Sequence, residues 1–242
     1  HIMFIDDNFI GDVQWTKKFI KALKPLHLTW HGAVSTNLVY QKELIEEMGE
    51  AGCKSLFIGF ESIQADSINS VNKKQNKIDE YETLIQLLHE KGIMINASLV
   101  FGFDTDTKEI FNNTLHWLVK NRIETMTAHI LTPYPGTKLY KQLLKENRIT
   151  EFDFRKYNTA HVTFKPKGMT SQELYAGYMR IYKEFYSFKN IVKRRPKNNG
   201  IIVPYLLFNF GYRKYGKFTS LLGKIGLMHF LGKLARRLAY GI

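Results

Sequence analysis

Apolar residues gather in five short runs, at 2–5, 28–34, 55–60, 93–101 and 125–131. Between them lie segments whose apolar positions recur at helical spacing. In 12–23, Val13, Phe19, Ile20 and Leu23 share a face, and Asp12 stands where an N-cap belongs. Residues 41–48, 80–90, 108–120 and 138–145 read as further helices, with Lys91 and Gly92 closing the second of these. Strand and helix alternate strictly, and the runs end 26 to 41 residues apart. That is the spacing of βα units, so the chain is α/β with a parallel sheet and helical crossovers. The runs are nearly continuously apolar, the pattern of strands covered on both faces.

Each run ends in polar residues. Asp6, Asp7 and Asn8 follow the first, Ser35, Thr36 and Asn37 the second, and Glu61 and Ser62 the third. Asp104 follows the fourth, and Thr132-Pro-Tyr-Pro-Gly-Thr137 the fifth. In parallel α/β folds the carboxyl edge of the sheet is where ligands bind. Taken singly, Asp6–Asn8 suit a turn as well as a site, and Ser35–Asn37 and Asp104 suit turns or caps. Glu61 directly follows Phe-Ile-Gly-Phe, and a carboxylate at a sheet mouth needs a donor cluster or a cationic ligand. Gly59 beside it leaves room for a close approach. Thr137 is placed to cap the next helix, and His31 and His129 lie within strands as core or wall residues.

The formal net charge of +13 is unevenly spread: residues 188–242 hold 12 basic and no acidic residues, so the body is nearly neutral. The one cysteine, Cys53, rules out an internal disulfide or a cysteine-ligated cluster within the chain, and its place at a helix–strand junction points to packing. With no secretory signal ahead of the first run, a reducing cytoplasm is the expected compartment. Residues 218–240 combine a broad apolar face with Lys224, Lys233, Arg236 and Arg237. The segment is too polar to span a bilayer. It suits a helix on an anionic membrane surface, at the inner face of the membrane, or a helix packed on the barrel with its basic side solvated. Nucleic acid is not expected, since no recognition module accompanies the charge.

The ordered set FIDDNFIGD (4–12), LFIGFES (56–62), VFGFD (100–104), LTPYPGT (131–137) and HVTFKPKGMTSQEL (161–174) resembles radical S-adenosylmethionine enzymes of the cobalamin-binding type. The resemblance implies a partial TIM-type (β/α)6 barrel over 1–150, here without its first strand. A mostly helical C-terminal extension would occupy 151–190, and the basic tail 191–242. It further implies S-adenosylmethionine, a 4Fe–4S cluster on three cysteines after the first strand, cobalamin on an upstream domain, and an electron donor. In such enzymes a 5′-deoxyadenosyl radical abstracts hydrogen from carbon, commonly for C-methylation, and some relatives act on hopanoid lipids.

Carried onto this chain, Asp6 and Asp7 stand where the family often contacts the cofactor's amino group. Ser35 and Asn37 stand where hydroxyl or amide groups meet its ribose or carboxylate, and Glu61 supplies the next edge's carboxylate. Phe60 and Phe103 are either adenine walls or core. The cluster cysteines are absent, so the chain as given is expected to be inactive alone, with cluster and cobalamin segments upstream. Two other readings stay open: a non-catalytic membrane-associated or binding protein, and a metal-dependent hydrolase using Asp6, Asp7, Glu61 and His129.

Overall fold

The structure, a computed structural model, describes residues 1–70, 76–213, 233 and 237. Five strands run in sequence order across one parallel sheet: β1 (Ile2–Met3), β2 (Trp30–Val34), β3 (Cys53–Glu61), β4 (Met94–Phe101) and β5 (Thr125–Ile130). Helices α1 (Val13–Leu23), α2 (Lys42–Glu50), α3 (Ala65–Ser70), α4 (Tyr81–Glu90) and α5 (Ile110–Lys120) fill the crossovers. After β5 come α6 (Lys138–Lys145), α7 (Ser171–Phe185), α8 (Phe188–Lys193) and α9 (Ile202–Arg213). This is the expected half-barrel with a mostly helical extension. The caps read from the sequence are present: Asp12 accepts from Trp15 N at 3.0 Å, and Thr137 accepts from Tyr140 N at 3.1 Å. The proposed tail helix at 218–240 lies outside the described residues, apart from Lys233 and Arg237.

The first strand is shorter than its apolar run. Phe4 N bonds His31 O at 2.9 Å and Phe9 N bonds Ala33 O at 2.8 Å, so residues 5–8 loop out of the ladder between them. The expectation that both sheet faces are covered also needs correcting. One face is: Trp30, Leu56, Ile58, Phe60, Ile95, Ala97, Leu99, Met126 and Ile130 are buried with the inner sides of α2, α4 and α5. Of the alternate residues, Met94 and Ser98 are buried, whereas His31, Ser55, Phe57, Asn96, Thr125, Thr127 and His129 are only partly buried or exposed, and most are small or polar. Successive side chains point to opposite faces, so these line the concave side of the half-barrel.

The far edge of the sheet is sealed by side chains. In a parallel strand the groups of alternate residues point outward, and on β5 these belong to residues 124, 126, 128 and 130. The Tyr186 hydroxyl bonds Met126 N at 3.2 Å and Met126 O at 3.0 Å. One turn earlier on α7, the Tyr182 hydroxyl bonds Ala128 N at 2.8 Å and Ala128 O at 3.0 Å. Ile130 N reaches Thr159 O at 2.7 Å, and Glu124 O accepts from Arg194 Nη1 at 2.9 Å and Asn209 Nδ2 at 3.0 Å. Open strand edges otherwise recruit other chains; here two phenols four residues apart take the place of a neighbouring strand.

Helix α7 reaches that edge because it is held closely. Its first turn carries a capping box in which Thr170 and Glu173 satisfy one another's backbone amides at 2.8 and 3.1 Å. Gly177 lies so near α5 that a Cβ there would fall 2.1 Å from the Phe111 ring. Tyr186 is buried whereas Tyr182 is half-buried, so water can replace the Tyr182 hydroxyl more readily. Tyr186→Phe should therefore cost about 1–3 kcal/mol in urea denaturation, and Tyr182→Phe less; equal and negligible losses would show that the phenols do not hold the edge.

Candidate functional site

The carboxyl rim of the sheet is organised around one carbonyl. Phe60 O accepts from Ser62 N at 2.8 Å, Asn76 Nδ2 at 3.0 Å and the Tyr81 hydroxyl at 2.8 Å. Asn76 Nδ2 also bonds Gly59 O at 2.9 Å, and its Oδ1 accepts from Thr36 Oγ1 at 3.1 Å. These bonds fix an irregularity in the β3–β4 register between Gly59 and Glu61, where Glu61 adopts φ 65°. A left-handed conformation costs a non-glycine residue about 1–2 kcal/mol, and such strain collects at functional positions. The turn folds the Glu61 carboxylate back over Gly59: a Cβ on Gly59 would meet Glu61 Oε1 at 2.9 Å. The space expected at Gly59 for a ligand is thus taken by the neighbouring carboxylate.

Across the rim, burial lowers the pKa of His129 below the ordinary imidazole value, and the charge of Glu61 partly opposes this. The two therefore share one local field. His129 Nδ1 pairs with Thr159 Oγ1 at 3.0 Å. On the other side, Asn8 Oδ1 accepts from Ser35 N at 3.1 Å and Ser35 Oγ at 3.3 Å, and Ser35 Oγ also bonds Asn37 Oδ1. Asn8, Ser35 and Asn37 form one cluster. Asp6 and Asp7 sit on the looped segment before it and are exposed.

Three other polar residues at this rim have local duties. Asp106 is buried and accepts from Gly102 N at 2.9 Å, Phe103 N at 3.1 Å and Ser67 Oγ at 2.9 Å. Burial outweighs these bonds and raises its carboxyl. Asp104 pairs with Arg148 through both guanidinium arms and with Lys167 at 3.0 Å. Burial opposes its ionisation, but the two cations prevail and hold the carboxyl below its ordinary range. Thr132 Oγ1 turns back to Ile130 O at 3.0 Å.

The structure thus brings Ser35 and Asn37 together, and the charge of Glu61 reaches His129. Asn8 was read as a turn or site residue, whereas Asn76 and Tyr81 are organising residues that motif reading passed over; Asn76 carried no visible signal, since its partners lie 16 to 40 residues away. Phe60 is core: it is buried with its ring 4.8 Å from Tyr81 and 5.4 Å from Trp117. Phe103 is buried as well. The aromatic on the concave face is Phe57, 38% exposed, one alternation step from Ile58. Among the described residues, no three of His, Cys, Asp and Glu lie together as a metal site, so the hydrolase constellation does not assemble.

Residues 137–201 match the family model described as a domain of unknown function (DUF4070). The chain is 32% identical over 210 residues to bacteriochlorophyllide d C-12(1)-methyltransferase of Chlorobaculum tepidum, covering 86% of this chain and 46% of that protein. It is 29% identical over 172 residues to the anaerobic magnesium-protoporphyrin IX monomethyl ester cyclase of Cereibacter sphaeroides (71% and 28%). With hopanoid C-2 methylase of Rhodopseudomonas palustris it shares 25% over 168 residues (65% and 31%). Among solved structures, the radical S-adenosylmethionine methyltransferase TsrM of Kitasatospora setae, with cobalamin and a [4Fe-4S] cluster bound, superposes with a TM-score of 0.53 at 16% identity, over 60% of this chain and 30% of that one. That last likeness is one of fold. By name the three curated relatives are a methyltransferase, a cyclase and a methylase, and the chain is similar to them at moderate identity over most of its own length. It spans less than half the length of each of the curated relatives named.

Glu61→Gln removes the influence that raises His129. The His129 titration midpoint, followed by NMR of its imidazole, should move further down in this variant; an unchanged midpoint would separate the two residues.

Proposed function

We propose that this chain is the cofactor-binding half-barrel of a cobalamin-dependent radical S-adenosylmethionine enzyme that methylates carbon. The observation that carries the reading is the 32% identity to a bacteriochlorophyllide methyltransferase, sustained over 86% of the chain. The substrate class we infer is a large, mostly apolar ring system. That description fits both the bacteriochlorophyllide and the hopanoid for which two relatives are named.

On this reading Glu61 takes the ammonium of S-adenosylmethionine, a carboxylate being the strong acceptor for a charged donor. Ser35 and Asn37, steadied by Asn8, offer hydroxyl and amide to the cofactor's carboxylate or ribose, and Asp6 and Asp7 flank the approach. Phe57 supplies an aromatic surface on the concave face. The donor set fits S-adenosylmethionine. It does not fit an iron–sulfur cluster: the one cysteine, Cys53, is buried at the N-terminal end of β3, and burial pushes its thiol far above the ordinary range. The cluster, the cobalamin and the electron-donor contact are accordingly proposed for other parts of the whole protein. When bound on a reduced cluster, S-adenosylmethionine supplies hydrogen-abstracting radical chemistry. The work of this chain is to hold one end of the cofactor, fix its orientation, and keep bulk water from the concave face.

The cyclase relative favours a second reading, oxidative ring closure on the same scaffold. Product mass separates the two: methylation adds a methyl group, whereas closure removes hydrogen. For the binding role, Glu61→Gln in the whole protein, purified anaerobically, should weaken S-adenosylmethionine about ten- to a hundredfold, the loss of one charge-assisted bond. Unchanged affinity in equilibrium dialysis would remove Glu61 from the cofactor site.

A further inference from the structure

Helix α9 is inside out. Its inward residues, Tyr205 and Asn209, are buried, and both use polar atoms there: the Tyr205 hydroxyl bonds Ile191 O at 2.6 Å, and Asn209 Nδ2 bonds Glu124 O at 3.0 Å. Asn209 Oδ1 accepts from Arg194 Nη2 at 2.9 Å. Arg194 is fully buried, with its guanidinium 3.5 Å from the Phe185 ring centroid, and Nη1 bonds Ile123 O at 2.6 Å. Burial in this setting lowers its pKa to about 10. The clamp consumes the polar side of α9. What remains exposed is Val203, Leu206, Leu207, Phe208 and Phe210, and all but Phe208 fall at positions i, i+3, i+4 and i+7 of one stripe.

The stripe does not stand alone. Phe188 of α8 is exposed and its ring lies 6.3 Å from that of Phe210; Val192, one turn along α8, is exposed as well. Lys189 and Lys193 of α8 and the following Arg195 are exposed, and no acidic residue occurs from 188 to 242. An exposed apolar patch of this kind marks an interaction surface. A second copy would bring one basic segment against another, which like charges oppose. A cationic segment with an apolar stripe is complementary to a layer with anionic headgroups and acyl chains beneath. None of the helices among the described residues is long and apolar enough to cross a membrane, so the contact lies on the surface.

We propose that the outer face of α8 and α9 docks the protein on an anionic lipid surface, with Val203, Leu206, Leu207 and Phe210 entering the interface. Arg194 and Asn209 fix this face rigidly to the N-terminal end of β5, the end opposite the cofactor rim. The inference is independent of the cofactor reading.

The test is co-sedimentation of the chain of residues 1–242 with vesicles of equimolar phosphatidylcholine and phosphatidylglycerol, beside vesicles of phosphatidylcholine alone. Binding should need the anionic lipid. The double variant Leu206→Ser, Phe210→Ser, both at exposed positions, should bind at least about tenfold more weakly, as should Lys189→Glu, Lys193→Glu. Equal partitioning of both variants and the parent would assign binding to the remaining basic tail and overturn the proposal. So would equal binding to both vesicles, no binding at all, or a dimer in light scattering that Phe210→Ser dissolves.

Discussion

The structure depends on how β5 ends the sheet. A parallel strand with no neighbour exposes a row of backbone donors and acceptors whose burial without partners would cost about 1–3 kcal/mol each. Here Tyr182 and Tyr186 each donate to and accept from one residue of that row, and Arg194 and Asn209 close its lower end. The sheet can therefore end at β5 with one face open. The same need explains the placement of the extension: α7 must lie close enough for its phenols to reach, and Gly177 against Phe111 provides that closeness. It also explains why α9 spends its polar residues inward and presents apolar ones outward.

An open concave face gives the carboxyl rim its use. With the helix side of each strand devoted to packing, the other side is free to carry His31, Ser55, Asn96, Thr125, Thr127 and His129, groups suited to a solvated cavity rather than a core. At the rim the Phe60 carbonyl, satisfied by Asn76, Tyr81 and Ser62, holds Glu61 in a conformation that a free loop would abandon. Fold strain, a folded-back carboxylate and a histidine within its field thus meet at the end of β3. On the proposed reading, that arrangement receives the ammonium of the cofactor.

Much of this was legible in the sequence. The βα alternation gave all five strands, because a buried strand needs a continuous apolar side whatever surrounds it, and the caps at Asp12 and Thr137 follow from local chemistry alone. The concave face was misread: Thr-Met-Thr-Ala-His-Ile in β5 alternates strictly, but short apolar runs elsewhere masked that period. Glu61 and Asn8 stood out by position, whereas Asn76 and Tyr81 did not, since their roles exist only when distant segments meet. The sealing tyrosines were equally hidden; α7 reads as an ordinary amphipathic helix until β5 lies beside it. The absent cluster cysteines, by contrast, are a matter of composition and could be read at once.

Amide hydrogen exchange at Met126 and Ala128 tests the central claim most directly, because these two N–H groups point away from β4 and have only phenol oxygens to bond. The account predicts protection comparable to that of the amides inside the β4–β5 ladder, lost at Met126 in Tyr186→Phe. Exchange of both amides at the rate of an exposed strand edge would contradict it.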